Sequence, residues 1–490
     1  MAINFTHYPT SNRVPGVYVE MDPSQANAAT VLQNSLLIGQ VVSTGLATPD
    51  VPFLAESVVQ VQQMCGIGSM LDQMAERYLA RDPTGPLWLL PLQDNAAGNA
   101  AAGSIAITGT CTASGTVNLY VGGQLVQCLA HTGDTATVVA QSLMSAITGN
   151  PALGVHATAA AGTVTVTSVG KGAVFNDLDL RLNYLGSAGG EATPAGLTCT
   201  ITPMAGGTAN PDITTALANL SSQPFDFIGL PYTDTASLDA MKAFLADDTG
   251  RWAWSQMIYG GAFSAYRGTL ATCTTFGEGR NDQHMAIMAF YDSPDPVWIW
   301  TSEVTATCAA SLRVDPGLPL QYINMTLKAP PVQNRWTIGE RNTLLYSGLS
   351  TFRVGDDGTV VMERMATTYQ KNAAGAADSS YLDVETMAGL TFVARDLTDF
   401  LLSRYARKKL VSDVTPVLPG SNCVTSLMIK ASVINEYRTL EANGSVQNSA
   451  IFAQSVVVED AGNGLVKILA PVDLVNQLRQ IAILLQFRKS

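Results

Sequence analysis

The chain has 490 residues, of which 47% are apolar and 13% are charged, and its formal net charge is −12. A chain of this length exceeds one ordinary hydrophobic core, so we expect two to four domains. The acidic balance argues against a nucleic-acid partner, because phosphate binding needs clustered Lys and Arg side chains. The low charged fraction indicates that other copies of the chain cover much of its surface.

Seven cysteines are scattered along the chain without a CxxC pair. An odd number at such spacing predicts reduced thiols in a protein made in a cytoplasm. Residues 1–10 have neither the basic nor the apolar stretch of a secretory signal. No run reaches the roughly 20 apolar residues of a membrane span, so we expect no membrane insertion.

The first part of the chain has the pattern of an α/β unit. Leu36–Ile38 and Leu87–Leu90 are apolar on both faces, as in parallel strands covered by helices. Residues 57–81 between them predict a helix that is broken near Gly66 and Gly68.

A change of composition marks residues 95–207, which are rich in Ala, Gly and Thr and poor in charge. Residues 117–121 alternate and are followed by Gly122 and Gly123, which predicts a hairpin. One helix is predicted from Asp134, as its N-cap, to Ile147. We interpret residues 96–208 as a β-rich inserted domain.

Helices and strands alternate again after this insertion. The predicted strands are 225–230, 254–259 and 285–291, and the predicted helices are 235–246, 264–276 and 297–312. Such succession implies a parallel sheet with right-handed crossovers. The insertion therefore interrupts a single α/β domain composed of residues 23–95 and 209–334.

A third region is predicted at residues 335–470. It offers a short helix and hairpin within 344–361, which turns at 355–358, and a long amphipathic helix at 387–410. A further helix, 426–440, ends at Asn443 and Gly444. Its last two strands, 455–459 and 465–469, form a hairpin that is barely stable alone.

The terminal segment, residues 471–490, alternates from Arg479 onward. The side chains on one side of an extended chain are Ile481, Ile483, Leu485 and Phe487. A helix also fits part of the segment, because Leu474, Leu478, Ile481 and Leu485 are three to four residues apart. We favour a strand after Leu478, with one buried face. At the other end, Ile3 and Phe5 alternate in an arm, residues 1–22, that has nothing local to pair with.

Catalytic signals are weak. Asp248–Gly250 matches an acidic protease motif, and Ser69 could serve a serine hydrolase if His284 came within reach. The structural interpretations fit better: Gly250 as a left-handed helix cap and Ser69 as an N-cap. Without a P-loop or a His/Cys cluster at metal spacing, we expect no catalytic residue, no cofactor and no metal.

A basic group lies at the end of the long amphipathic helix. Its members are Arg404, Arg407, Lys408 and Lys409. They can complement the helix dipole, or they can contact an acidic partner surface. Both interpretations remain open from the sequence.

At four places the chain resembles the tail sheath proteins of contractile bacteriophages, especially the Mu-like branch. These places are Arg13-Val-Pro-Gly-Val-Tyr-Val-Glu20 with Leu37-Ile-Gly39, Cys65–Leu71 through Leu87–Pro91, Arg341–Leu345 through Arg364 with Thr367–Gln370, and Leu474–Phe487. The order and spacing of these motifs carry the resemblance, which covers the chain except the insertion.

The resemblance implies a structural protein and not an enzyme. In this family, subunits stack as hexameric rings around a tail tube and contract, within a virion tail assembled in the host bacterial cytoplasm. The expected fold is multidomain α/β and α+β: a discontinuous, non-catalytic subtilisin-like domain with a protruding insertion, and a C-terminal sheath domain that neighbouring arms complete by strand exchange. The implied partners are other sheath subunits, the tube protein, the baseplate and the tail terminator.

Alternatives to this interpretation are the sheath of a tailocin or another contractile injection system, and a subtilisin-like serine hydrolase. A secreted adhesin is disfavoured by the absence of a signal segment and by the α/β pattern.

Overall fold

The N-terminal half begins with the elements that place the central sheet. The computed structural model describes residues 33–418 and 420–488. The first elements are β1 (Ser35–Gln40), β2 (Phe53–Leu54), α1 (Val58–Cys65), α2 (Met70–Arg81) and β3 (Leu87–Leu92). The predicted helix break is confirmed, because Gly66 and Gly68 have φ angles of 82° and 78° between α1 and α2. Ser69 is the predicted N-cap, and its hydroxyl accepts a hydrogen bond from the Asp72 amide.

The insertion folds as two antiparallel sheets with one long helix. Its elements are β4 (Ala100–Gly109), β5 (Gly115–Val121), β6 (Gln124–Ala130), α3 (Ala136–Thr148), β7 (Val155–Ala160), β8 (Thr163–Lys171), β9 (Leu180–Leu182) and β10 (Leu197–Ala205). The sheets have the orders β10-β4-β8-β7 and β6-β5-β9. The hairpin at Gly122 and Gly123 is confirmed. The N-cap of α3 is Thr135 and not Asp134, whose carboxylate accepts from the His131 amide instead.

The chain then returns to the central sheet through alternating helices and strands. They are α4 (Thr214–Asn219), β11 (Phe227–Gly229), α5 (Thr235–Leu245), β12 (Gly261–Arg267), α6 (Leu270–Glu278), β13 (Met285–Phe290) and α7 (Val297–Val314). The sheet order is β13-β12-β11-β1-β3-β2, with every pair parallel except β2 with β3. All six residues of β1 and of β13 are buried. This agrees with the apolar runs in the sequence, which predict strands covered on both faces.

Three predictions in this region are wrong. Trp254–Tyr259 forms a turn followed by irregular backbone and not a strand, and the strand is β12, which begins at Gly261. Ser264 lies in that strand, so the predicted helix 264–276 is replaced by α6. Helix α5 ends at Leu245 with Ala246 as its cap, so Gly250 is not a left-handed cap.

Charged side chains join the insertion to the α/β sheet. Asp177 of the insertion pairs with Arg267 at the end of β12, and its Oδ2 accepts from the amide of Val297, the first residue of α7, at 2.5 Å. Arg181 pairs with Asp292 at 2.6 Å. Burial raises the pKa of Asp177, while the Arg267 guanidinium opposes this shift.

The remaining elements follow the α/β sheet. They are β14 (Ile323–Met325), α8 (Ile338–Tyr346), β15 (Thr351–Val354), β16 (Val360–Arg364), α9 (Val384–Tyr405), β17 (Lys409–Leu410), β18 (Cys423–Val424), α10 (Ser426–Ala442), α11 (Ser449–Ser455), β19 (Val457–Asp460) and β20 (Val466–Leu469). Strands β14, β16 and β15 form one sheet, while β17 with β18 and β19 with β20 form two small ones.

Two hydrophobic cores result, and α9 contributes to both. The first core contains buried side chains from Leu36 to Val384, and the second contains buried side chains from Val393 to Val456. Within the described ranges, no helix is long and apolar enough to cross a membrane. The same ranges hold no group of three or more His, Cys, Asp or Glu side chains suited to a metal ion.

Candidate assembly surface

The second core supports the candidate assembly surface at the C-terminal end of the molecule. Helix α10 packs into this core with Ile429, Val433 and Tyr437. The Tyr437 ring stacks on Phe452 of α11 with centroids 3.7 Å apart. The Tyr437 hydroxyl donates to the Gln447 carbonyl at 2.9 Å, so an apolar ring and a polar tip are both satisfied. The core thus fixes the base on which β19 and β20 lie.

The hairpin of β19 and β20 has open edges. The strands pair in antiparallel register from Val457 with Leu469 to Asp460 with Val466. In the described part of the chain neither strand has a second strand partner. Its Val457 and Leu469 side chains are exposed. Open strand edges accept further strands, and a two-stranded hairpin gains stability from them.

The terminal segment 480–488 lies outside every helix and strand of the described chain. Among the described residues of the subunit no strand pairs with this segment, so the predicted strand does not form there. Ile483 is 76% exposed, and Leu484 on the other side is 85% exposed, so neither face is buried. The remaining side chains of the predicted buried face are also exposed: Ile481, Leu485 and Phe487. Pairing with another subunit stays a prediction, and Ile3 and Phe5 lie outside the described residues.

The basic group is brought together where α9 ends. Arg404 lies in the last turn of α9 and its guanidinium stands 5.3 Å from the centroid of the Phe400 ring. Arg407, Lys408 and Lys409 follow, and all four side chains are exposed. Lys408 reaches the Asn422 side chain at 3.3 Å across the β17–β18 pair. The geometry fits both interpretations, since the group lies at a helix C-terminus and faces solvent.

Long-range ion pairs attach the middle of α9 to the first core and the terminal segment to the start of α9, and the sequence analysis missed them. Arg395 of α9 pairs with the buried Asp226 at 2.6 Å. Arg479 of the terminal segment pairs with Asp383 at 3.1 Å and with Glu385 at 2.9 Å. For Arg395 the available signal was a charged residue inside an otherwise apolar helix face, but the sequence does not identify the partner of Arg395 or of Arg479.

A carboxyl group between α9 and α10 is the titratable group of this surface. The pKa of Asp396 is raised to about 6, first by burial and then by the neighbouring carboxylates of Glu436 and Asp399. Burial also raises the pKa of Glu436, against the effect of Arg404. This side of α9 is therefore acidic at its middle and basic at its end.

The structure does not assemble a serine hydrolase site from the residues considered above. Ser69 is 1% exposed and its hydroxyl caps α2, at the edge of the sheet where the parallel strands end. His284 precedes β13, at the opposite edge, and its Nε2 lies 2.7 Å from Asp247 Oδ1. Burial lowers the pKa of His284, against the Asp247 charge. The ring also stacks on Trp252 with centroids 4.4 Å apart, which makes it part of the core.

The chain is similar along its whole length to the Mu-like prophage FluMu tail sheath protein of Haemophilus influenzae. The two are 38% identical over 491 residues, which cover 99% of this chain and 100% of that protein. The chain belongs to the phage tail sheath protein family. The resemblance expected from the four motifs is therefore confirmed.

Two family models match this tail sheath protein. The phage tail sheath protein central domain matches residues 206–368, and the phage tail sheath C-terminal domain matches residues 376–488. The second match includes α9, the basic group, the β19–β20 hairpin and the terminal segment. The candidate assembly surface is therefore part of a domain that the family defines.

Solved sheath structures are similar over most of the chain at low identity. The sheath tail protein of Desulfitobacterium hafniense is 14% identical, with a TM-score of 0.48, over 94% of this chain and 97% of that chain. The sheath tail protein Lin1278 of Listeria innocua is 11% identical, with a TM-score of 0.48, over 90% and 92%. The contracted helical sheath of the anti-feeding prophage is 12% identical, with a TM-score of 0.47, over 98% and 100%.

Proposed function

We propose that this tail sheath protein polymerises as stacked hexameric rings around a tail tube and contracts to drive the tube through the host envelope during genome delivery. The observation that carries the proposal is that a chain of the sheath family has both an exposed apolar end, Ile481–Phe487, and a hairpin with open edges. An exposed apolar segment of this kind marks a site where another protein surface binds.

The mode of association is β-augmentation between subunits. The terminal arm adds a strand to the β19–β20 sheet of a neighbour, and the N-terminal arm with Ile3 and Phe5 adds another. The apolar side chains on the predicted buried face of one terminal arm are Ile481, Ile483, Leu485 and Phe487. Burying four such side chains contributes about 6–12 kcal/mol before ordering and association costs are subtracted. Both arms together give a mesh that stays paired while rigid domains rotate.

The proposed domain roles follow the division made from the sequence. Residues 23–95 and 209–334 form a subtilisin-like, non-catalytic domain, and residues 96–208 form an outward protrusion. Residues 335–470 form the sheath domain between the arms 1–22 and 471–490. The ion pairs of Asp177 and Arg181 with the α/β sheet support movement of the protrusion and that sheet as one body.

The proposed partners are other sheath subunits, the tail tube protein, the baseplate and the tail terminator, in a virion tail assembled in the host bacterial cytoplasm. We assign the tube contact to Arg404, Arg407, Lys408 and Lys409, because all four are exposed cations on the family's C-terminal domain. Contraction would then exchange weak polar contacts between sheath layers. No direct nucleic-acid contact is required, in keeping with the net charge of −12.

A second candidate within the same structural class is the sheath of a tailocin or another contractile injection system. A gene neighbourhood without capsid and terminase genes would favour it over a phage. A subtilisin-like hydrolase would be revealed by labelling with an active-site serine probe that Ser69→Ala abolishes.

Deletion of Ile481–Ser490 tests the proposed mesh. We expect a folded protein, with the circular dichroism spectrum of the full chain, that no longer forms tubes. Negative-stain electron microscopy and sedimentation measure assembly. Ordered tubes from the truncated protein at the concentration that the full chain needs would contradict the proposal.

Neutralising the basic group tests the tube contact separately. The variant with Gln at 404, 407, 408 and 409 should keep self-assembly but bind purified tube protein more weakly, with less dependence on salt. Arg438→Gln, a neutralised exposed residue of α10, is the matched control and should bind the tube as before. Unchanged tube binding by the fourfold variant would leave dipole complementation as the role of the group.

A further inference from the structure

Arg479 is the last partly buried side chain in the described part of the chain. Its side chain is 15% exposed, whereas every described residue from Gln480 to Arg488 is exposed. Nη2 of Arg479 lies 3.1 Å from Oδ1 of Asp383 and 2.9 Å from Oε2 of Glu385. The three guanidinium nitrogens make no hydrogen bond within the described residues, so charge attraction holds this side chain.

The two carboxylates that receive Arg479 are fixed by the rest of the subunit. Asp383 accepts two hydrogen bonds from Arg364 of β16, at 2.8 and 2.9 Å. Glu385 is 1% exposed and accepts from the Leu320 amide at 2.5 Å. Burial raises the pKa of Glu385, and the Arg479 charge opposes that shift. The charges of Arg364 and Arg479 thus neutralise those of Asp383 and Glu385, and without Arg479 one negative charge would remain unpaired.

The segment that ends at Arg479 crosses from the second core to the first. Asp473 is held on the second core, where its amide donates to the Tyr437 hydroxyl at 3.0 Å. Gln321 then donates to the Leu478 carbonyl at 2.9 Å, on the side of the first core. Arg479 is the final attachment in this series. The free part of the arm therefore leaves the subunit from the first core and not from the hairpin that precedes it.

We propose that Arg479 is a positioning residue for assembly. Its ion pairs with Asp383 and Glu385 fix the point and the direction in which residues 480–488 leave the subunit, so that they meet a second copy of the chain. Without them the segment would keep the Gln321–Leu478 hydrogen bond but lose its charged attachment, so the arm would pivot near Leu478 and sample many directions. An arm that is not preorganised binds more weakly. The inference rests on the proposed function, since it names what aims the terminal arm.

The double variant Arg479→Gln/Glu385→Gln tests the inference in the full chain. It removes both charges together, so that neither is left buried and unpaired, which is the usual reason for such variants to unfold. Arg479→Lys is the conservative variant, because it keeps the charge without the fork of the guanidinium. Arg488→Gln is the matched control, because it is an exposed arginine of the same arm beyond the attachment.

Two measurements are made on each variant after circular dichroism confirms its fold. The first is the rate of chymotrypsin cleavage after Leu478, next to Arg479, in unassembled subunits, read by mass spectrometry. The second is the protein concentration at which tubes appear. For the double variant we expect cleavage about tenfold faster and an assembly concentration about tenfold higher, since apparent affinity falls with the fraction of competent arms. For Arg479→Lys, the cleavage rate and the assembly concentration should lie between those of the double variant and those of the full chain. For Arg488→Gln, both should equal those of the full chain.

The outcomes separate this inference from the function on which it rests. If deletion of Ile481–Ser490 prevents assembly but the double variant assembles and is cleaved like the full chain, Arg479 does not position the arm. Faster cleavage with unchanged assembly overturns the inference as well. If the deletion variant also forms tubes, the proposed mesh itself fails.

Discussion

Arg395 and Asp226 form an ion pair that joins α9 to the first hydrophobic core, with Nη1 of Arg395 2.6 Å from Oδ1 of Asp226. The side chains are 17% and 7% exposed. Arg395 also donates to the Ile258 carbonyl at 3.0 Å. Burial raises the pKa of Asp226, and the Arg395 guanidinium opposes this shift most strongly. The ion pair therefore offsets the free-energy cost of burying the Asp226 carboxylate away from water.

Replacing Arg395 by Ala should destabilise the protein by about 3 kcal/mol, because Asp226 remains buried without its main partner. Urea unfolding at pH 8 measures the loss. Arg280→Ala is the control, since Arg280 pairs with Asp239, which is 60% exposed. That pair is screened by water, and its loss should cost less than about 1 kcal/mol. Equal costs for the two variants would contradict the structural role given to Arg395.

The stability of the second core should depend on pH through Asp396. Its folded pKa of about 6 lies above the usual 3.8, chiefly because of burial. The folded state thus binds this proton more tightly than the unfolded state. The resulting stabilisation is complete below about pH 4 and is lost as pH rises through about 6.

Asp396→Asn removes this dependence. The variant should be more stable than the original chain by about 1–2 kcal/mol at pH 8, after allowance for solvent screening, and nearly equal to it at pH 4. Urea unfolding at both pH values is the measurement. Asp399→Asn, an exposed change on the same helix, should gain much less at pH 8. A constant difference between Asp396→Asn and the original chain would rule out this titration.

Helices and strands were predicted correctly from the sequence where their local residue pattern matches their environment in the fold. β1 contains the apolar run Leu36–Ile38 and β3 the run Leu87–Leu90, and α1 and α2 are separated by glycines with positive φ, so pattern and fold coincide. The strand β12 was missed because Gly, Ala and Ser make up much of it, and small residues carry a weak strand signal. Trp254 was misread for the opposite reason: it is apolar but 85% exposed, in a turn.

The candidate site was predictable only in its local part. The alternation of Ile481–Phe487 and the basic group after Arg404 are visible along the chain. The partners of Arg395 and Arg479 could not be predicted, because a long-range ion pair produces no repeating pattern in the sequence. In each case the carboxylate lies far away along the chain. Tertiary packing, which places Asp226 and Glu385 beside them, supplies this information.

The contact between the insertion and α2 should tolerate no side chain at Gly68. This glycine has a φ of 78°, and a Cβ there would lie 2.0 Å from the Pro151 carbonyl oxygen. Gly68→Ala should therefore cost about 3 kcal/mol or more. At Gly133 φ is 95° with nothing within 4 Å of a Cβ, so Gly133→Ala should cost about 1 kcal/mol of backbone strain. Thermal unfolding compares the two variants, and equal losses would exclude a clash at Pro151.

The two sides of the terminal arm provide the sharpest test of strand addition. Ile483 and Leu484 are adjacent and similarly exposed in the single subunit, at 76% and 85%, so Asp at either position should leave the unfolding temperature unchanged. In an added strand, however, successive side chains point to opposite faces. Ile483→Asp would place a charge against the neighbour's core and should weaken assembly by at least about 100-fold, or roughly 3 kcal/mol. Leu484→Asp would face away and should assemble at nearly the original concentration. Sedimentation of both variants measures this difference. Equal effects would indicate that the arm binds by general hydrophobicity, and a greater effect at Leu484 would reverse the assigned faces.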